Sequence, residues 1–424
     1  MDNLLCDELV QEVFLRLPPS SSSSVSLVSK RWLHLHRTSR TSLTLRLTGD
    51  DSTLHSLRFL AGPVSASSLA SLSAACTQLT SLCISLSRPL FLMWIIGFPK
   101  LKELSIMVCS GGVGVEQGND YGVSADEDSG AELGLESLCL SGIGAGDWGL
   151  GWLWRSCRKL KKLQLKSCEG VGDGGSFSSF IMCLQGVEEV ELRTCRSILD
   201  GVLLKLAENC DSLASLLVYD GGSREGLLRF FSQCHCNLQK LDFRLPLDLK
   251  NDHLLAVATN FRSLSSLRLQ SCCLVSGEGL KALGTAVNSG LEELALINCD
   301  VVEREPGLLS TLGQNLKKLR KLDLSYNEML LDKDFMSMLV SCNYLVDLKV
   351  RGCKGLTNAS IISMWKSCKR LESVDIMHCH GIQAEAIESF VLNSPQLRRV
   401  QVEQCKISDF AKTWASHKFV EAVA

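Results

Sequence analysis

"LVDLKVRGCKGLTNASIISMWKSCKRL" occupies residues 345–371, and its first nine residues fit the phrase L-x-x-L-x-L-x-x-C, which opens again at Leu371 as "LESVDIMHC". The phrase changes period partway through. Leu345, Leu348 and Val350 mark the inward side of a short strand, whereas "NASIISMWKSC" sets Ile361, Ile362, Trp365 and Cys368 at helical spacing behind Thr357 or Asn358 as the N-cap. One unit therefore reads strand, turn, helix. Alone it cannot bury both faces, so copies must stack: strands align into a parallel sheet on one side and bulkier helices fan out on the other.

The same phrase starts at Leu79, Leu101, Leu135, Leu160, Val187, Leu213, Leu238, Leu264, Leu291, Leu319, Leu345, Leu371 and Leu397, thirteen times in all. From Leu160 the steps are 27, 26, 25, 26, 27, 28, 26, 26 and 26 residues. So regular a spacing predicts an α/β solenoid, curved, with a parallel inner sheet and outer helices. "LTLRL" at residues 43–47 reads as a degenerate earlier turn. The ninth position holds Cys109, Cys168, Cys195, Cys272, Cys299, Cys353, Cys379 and Cys405, with Asn327 in the same slot. A small side chain able to bond weakly to backbone groups at the turn explains both choices. A second set, Cys76, Cys157, Cys210, Cys342 and Cys368, falls near helix ends, where a small buried residue fits. Both sets read as filling.

Bulk composition agrees with a large folded core: 424 residues, 46% hydrophobic, 21% charged and only 8 Pro. A net charge of −2 gives no general attraction for nucleic acid or acidic membranes, so a partner must be recognised by a local patch. "MDNLLCDELV" carries acidic residues where a targeting peptide would be basic. The most apolar stretch, "LFLMWIIGF" at 90–98, falls far short of the roughly 20 residues of a membrane helix. The 20 cysteines are accordingly expected as reduced thiols, and the chain in the nucleus, the cytoplasm or both.

The repeated phrase resembles the cysteine-containing class of leucine-rich repeats, and the resemblance covers about residues 79–405. One step departs from it. The step from Leu101 to Leu135 is 34 residues and includes a Gly-rich acidic insertion at about 110–134 with Glu116, Asp120, Asp126, Glu127, Asp128 and Glu132 and no basic residue. Glycine and charge predict a loop in place of a helix. The repeats are followed by a C-terminal cap at 406–424, closed by Phe410 and Trp414.

Ahead of the repeats, residues 1–40 carry Asp7 as a candidate N-cap, then Leu9, Val13 and Leu17 along one helix face, a Pro18-Pro19 stop and five serines. Two short helices with Val25, Leu27, Val28, Trp32 and Leu35 follow. So small a piece should share its apolar residues with the solenoid and a partner. The segment resembles the F-box, through "LCDEL" at 5–9, "LRLP" at 15–18 and "SLVSKRWLHL" at 26–35; Cys6 stands where that family usually has proline. Residues 41–78 then read as a divergent first repeat and connection. The resemblance implies a non-catalytic substrate receptor of a ubiquitin ligase, similar to plant-type F-box proteins with leucine-rich repeats. A Skp1-like adaptor would link it to a cullin and a RING protein. It also implies that Leu5, Leu9, Val13, Leu17, Val25, Leu27 and Val28 face the adaptor, while Trp32 and Leu35 pack toward the first repeat.

Other chemistries find little support. The eight histidines are dispersed, and neither a phosphate-binding Gly-rich loop nor a G-x-S-x-G phrase appears. "QCHCN" and "MHCHG" lack the second matching pair of a zinc site. Basic runs such as "RSCRKLKKLQLK" recur at helix ends without aromatic residues for base stacking. No cofactor, metal, nucleic acid or membrane is expected. A small-molecule hormone co-receptor and an F-box-independent scaffold remain as alternatives. On the sheet, the fifth and seventh residues of each phrase should point outward. Arg193, Arg244, Arg268, Lys349 and Arg351 would form a broken basic stripe, with Gln270, an aromatic anchor at Tyr219 and Tyr326 beside it. Such a stripe suits an acidic or phosphorylated protein segment.

Overall fold

The structure is a computed structural model and describes residues 7–16, 25, 28–32, 35, 54–109, 132–172, 174–288, 290–403, 408, 412–413 and 421–423. Two compact units divide the chain, the first made of residues 1–161 and 165–183, the second of 162–164 and 184–424.

In the first unit α1 (Asp7–Arg16) precedes β1 (Ser56–Pro63), α2 (Ala66–Ala75), β2 (Ser81–Leu86), a 3-10 turn (Met93–Gly97), β3 (Glu103–Val108), β4 (Ser137–Ser141), α3 (Leu150–Ser156) and α4 (Ser176–Phe180). Strands β1 to β4 pair in parallel and in chain order, with Leu57, Leu82, Leu104 and Leu138 in register. Strand β5 (Lys162–Lys166) lies at the boundary between the units.

The second unit repeats one pattern. Strands β6 (Glu189–Arg193), β7 (Ser215–Tyr219), β8 (Lys240–Arg244), β9 (Ser266–Gln270), β10 (Glu293–Ile297), β11 (Lys321–Asp323), β12 (Asp347–Lys349), β13 (Ser373–Asp375), β14 (Arg399–Gln401) and β15 (Glu421–Val423) run in order. Between them come α5 (Leu199–Asn209), α6 (Arg224–Gln233), α7 (Asn251–Asn260), α8 (Gly277–Ala286), α9 (Asp300–Arg304), α10 (Leu308–Asn315), α11 (Asp332–Leu339), α12 (Asn358–Ser367) and α13 (Ala384–Asn393). All neighbouring strands are parallel, and Val190, Leu216, Leu241, Leu267, Leu294, Leu322, Leu348, Val374 and Val400 stand in one row. This is the sheet-and-helix layering of a leucine-rich-repeat solenoid.

Strands β2 to β14 each begin two residues into one of the thirteen phrases. Two further strands flank them: β1, which the phrase did not reveal, and β15, which pairs with β14. The "LTLRL" turn, Cys405, Phe410, Trp414 and insertion residues 110–131 lie outside the described residues.

Helices meet the sheet through large side chains. Phe231 of α6 stands edge-on to Phe243 of β8, ring centroids 5.6 Å apart, and Phe230 lies 6.4 Å from Phe261 at the end of α7. In α12, Thr357 accepts from the Ala359 amide and so sets the helix phase. Ser360, Ile361, Ser363 and Met364 then face inward. Of the four residues set at helical spacing, Ile361 and Cys368 are buried, Ile362 is exposed, one residue or about 100° round from Ile361, and Trp365 is half-buried beneath Lys366 and Lys369.

Three columns tie one repeat to the next. At the ninth position, Cys299, Cys353 and Cys379 donate to the carbonyls of Leu269, Leu324 and Val350 in the preceding strand, at 3.4, 3.1 and 3.0 Å. Asn327 does the same work more strongly, donating to Leu296 and Leu324 carbonyls at 2.8 and 2.7 Å while its Oδ1 accepts from the Cys299 amide at 2.9 Å. One position earlier the backbone turns left-handed in ten successive phrases: Gly142, Ser167, Thr194, Asp220, Leu245, Ser271, Asn298, Tyr326, Gly352 and His378 have φ between 48° and 77°. At the helix starts, a polar side chain of one repeat accepts from the next repeat's backbone, as in Asp200 to Ser223, Asn251 to Ser276, Asp332 to Thr357 and Asn358 to Gln383. These accept donors that a helix N-terminus leaves open.

Candidate functional site

Two surfaces stand out, one in each unit. In the first, α1 divides its apolar residues between two faces. Val10 and Phe14 are buried with Val25 and Leu35, and Trp32 packs against them with its ring 5.4 Å from Phe14. On the other face Leu9 is 54% and Val13 46% exposed, and Val28 is 58% exposed. The Asp7 carboxylate accepts from Arg31 Nε and Nη2 at 2.9 and 2.7 Å, and Ser29 Oγ accepts from the Trp32 amide, so residues 28–32 are held against the start of α1.

Three of the residues assigned to an adaptor are thus on the outside. Val25 is not: it lies in the small core with Val10, Phe14 and Leu35, because so small a segment needs its side chain to complete the inside. Trp32 and Leu35, which the resemblance implied would pack toward the first repeat, close the same core. Leu5, Leu17 and Leu27 lie outside the described residues.

The second surface is the outward side of the sheet in the second unit. Its third, fifth and seventh positions point out, as the alternation in β6 to β9 shows. The expected basic stripe is corrected by the partners it finds. Arg193 bonds to Glu191 on its own strand, Arg244 grips Asp242 through two bonds of 2.9 and 2.7 Å, and Arg351 Nε donates to Asp375 at 3.0 Å. Each arginine is matched by an acid at a fifth position, so a ladder of ion pairs replaces a stripe of free cations. Tyr219 and Tyr326 are four strands apart, from β7 to the end of β11, and do not form one anchor. Gln270 is half-buried at the end of β9, beside Arg244 in register.

Arg268 and Lys349 differ from the other cations. Arg268 meets Asp242 and Asp323 only at 3.9 Å, beyond hydrogen-bonding distance, and Lys349 is exposed and forms no ion pair among the described residues. Both line a cleft of about 270 Å³ whose floor includes Ala295, with Lys240, Glu293, Lys321, Asp323 and Asp347 around it. The third-position row is paired in part: Glu293 accepts from Lys321 Nζ at 2.5 Å and from Ser266 Oγ at 3.2 Å. Burial alone would raise the Glu293 carboxyl, but those partners hold it below the usual carboxylate range. The third-position residues and Ala295 were missed in the sequence, although the aligned columns contained them.

Several of the repeat thiols are held in the protonated form by burial. Burial pushes Cys157, Cys342 and Cys368 up to about 12 and Cys210 to about 11, so they are protonated at neutral pH. Cys234 and Cys236 lie side by side, Sγ atoms 3.0 Å apart, while His235 between them is exposed. Among the described residues no three His, Cys, Asp or Glu side chains converge as metal ligands. The buried His253 is structural: its Nδ1 accepts from the Lys250 amide and Nε2 bonds to the Arg224 carbonyl.

Comparison with known proteins finds two family models that match parts of the chain. The family model described as the F-box domain matches residues 3–41, and one described as a leucine-rich repeat matches residues 262–284. Among solved structures, the chain is similar to one from the Rad7 and Elc1 complex in yeast, with a TM-score of 0.48 and 14% identity over 96% of this chain and 90% of that one. It is also similar to one from the mouse RP105/MD-1 complex, with a TM-score of 0.41 and 14% identity over 88% of this chain and 67% of that one.

Proposed function

We propose that this F-box and leucine-rich-repeat protein is the substrate-recognition subunit of a cullin-RING ubiquitin ligase. In this reading the F-box binds a Skp1-like adaptor and the repeat sheet binds a protein to be ubiquitinated. The observation that carries it is the division of α1: the segment already has a core of its own, yet leaves Leu9 and Val13 exposed one turn apart, with Val28 exposed nearby. An apolar stripe on a segment that matches the F-box model is suited to a dry, helix-based interface.

The chain's task is then positioning. F-box and leucine-rich-repeat segments are characteristic of non-catalytic receptors, and holding a substrate near a ubiquitin-charged partner raises its effective concentration without any reacting group here. A protein substrate is preferred to a small molecule because a cleft of about 270 Å³ is smaller than the roughly 300–1,000 Å³ of sites that enclose such ligands. Mixing the purified full chain with a Skp1-like adaptor should give a one-to-one complex by light scattering. Separate elution at micromolar concentration of both would reject the proposal.

A further inference from the structure

The inner sheet leaves one atom of each of two charged side chains without a hydrogen bond where its ladder of ion pairs is interrupted. In the fifth-position row Ala295 stands between Arg268 and Asp323, and its short side chain opens the cleft. Arg268 Nε and, three strands on, Asp347 Oδ1 are both shielded from solvent and have no hydrogen-bond partner. Arg193, Arg244 and Arg351 show what the sheet does with a guanidinium when a carboxylate is in reach. Arg268 has two carboxylates nearby and bonds to neither. Shielded polar atoms without a hydrogen-bond partner are rare in folded proteins and call for an external partner or a special role.

We propose that this cleft seats an extended segment of a bound protein, with an acidic side chain on Arg268 and a basic side chain on Asp347. The inference rests on the reading that the inner sheet binds protein, and it specifies the sequence that is read. Four basic and four acidic side chains line the cleft, so its field alternates in sign. Asp242 and Asp323 flank Arg268 and would repel a phosphate, with its greater negative charge, more than the single charge of a carboxylate, while a basic side chain further along the segment meets Asp347. From β9 to β12 is three strand steps, about 14 Å, and the two side chains are also offset along the strands by two residues. An extended chain advances about 3.4 Å per residue, so the acidic and basic residues should be about four to five positions apart.

The test uses fluorescein-labelled peptides of alanine and serine carrying one Glu and one Arg at separations of two to eight residues, in both orders, with Glu/Glu and Arg/Arg controls. Anisotropy against the purified full chain should show one order, at four or five residues, binding at least tenfold more tightly than the other separations and the like-charge controls. Arg268→Glu combined with Asp347→Lys should exchange the preferred order, and Ala295→Phe, which fills the cleft without altering a charge, should abolish the preference. Adaptor capture and melting temperature, measured on the same variants, separate this outcome from a failure of the F-box reading or of folding. Binding that ignores spacing, is tightest for Glu/Glu, is absent across the whole series, or keeps its order after the charge exchange overturns the proposal.

Discussion

Leu9 and Leu348 are both leucines that a repeating apolar pattern marks out, yet one is 54% exposed and the other fully buried. In the repeats, Leu348 has a sheet neighbour in register on each side, Leu322 and Val374, and the same holds for the inward row of the second unit's inner strands. Burial is collective, and the outward positions are free to carry charge. In the F-box segment, Val10, Phe14, Val25 and Leu35 already fill the inside, so Leu9, Val13 and Val28 have nowhere to go but out. The difference teaches where partners bind and how. Apolar groups left over after a small core is complete suit a constant partner, whereas a sheet lined with paired charges suits selection among partners by exchange of ion pairs.

The contrast breaks most visibly under truncation. Phe231→Ala removes a ring packed against Phe230, Phe243 and Phe261 and should cost about 3–5 kcal/mol in denaturant unfolding. Leu9→Ala should leave the unfolding midpoint of the isolated chain within experimental error. A comparable loss from both would mean that α1's outer face is covered within the chain.

Asn327→Ala should come next, at about 2–4 kcal/mol, since it orphans one amide and two carbonyls in the buried column. Cys353→Ala, which loses one weak bond, should cost about 1 kcal/mol and show no response to a zinc chelator. Equal costs would show that the column acts through volume alone.

The strand phrases were legible because a 26-residue period repeats the same burial problem in each unit, and the F-box because three separate phrases agreed in order. Inward or outward facing of Val25 was not legible: with so few apolar residues, helix phase depends on how the chain folds back after the serines. Pairing of the arginines was half legible, since Glu191 with Arg193 and Asp242 with Arg244 sit two apart on one strand face. The partner of Arg351 comes from the next repeat and required the register. Least visible was the left-handed column, because Ser, Thr, Leu, Tyr and His occupy it beside Gly and Asn, and backbone pairing imposes a conformation these side chains do not favour.

Acid should weaken the Asp332 link between repeats. Burial would raise the Asp332 carboxyl, but hydrogen bonds from Ser360 and Thr357 outweigh it and lower its pKa. A carboxyl with a lower pKa folded than unfolded stabilises fully above its unfolded value, about 3.9, and loses that contribution as pH falls through the folded one. Asp332→Asn should therefore cost about 1–2 kcal/mol at pH 7, and the gap from wild type should narrow below about pH 4. A gap unchanged with pH would remove the charge from the explanation.

The smallest effect should be a gain. Leu245 is 37% exposed and left-handed at φ 52°, so Leu245→Asn should raise stability by about 1 kcal/mol. A loss would show that its side chain contributes packing along that rim.

The direct test of the account is the affinity of the full chain for a Skp1-like adaptor, measured for wild type and for Leu9→Asp with Val13→Asp. Charge placed on the outer face of α1 should weaken binding at least a hundredfold and leave the melting temperature unchanged, as expected for charge forced into a dry interface. Binding at wild-type affinity by the double variant would contradict it.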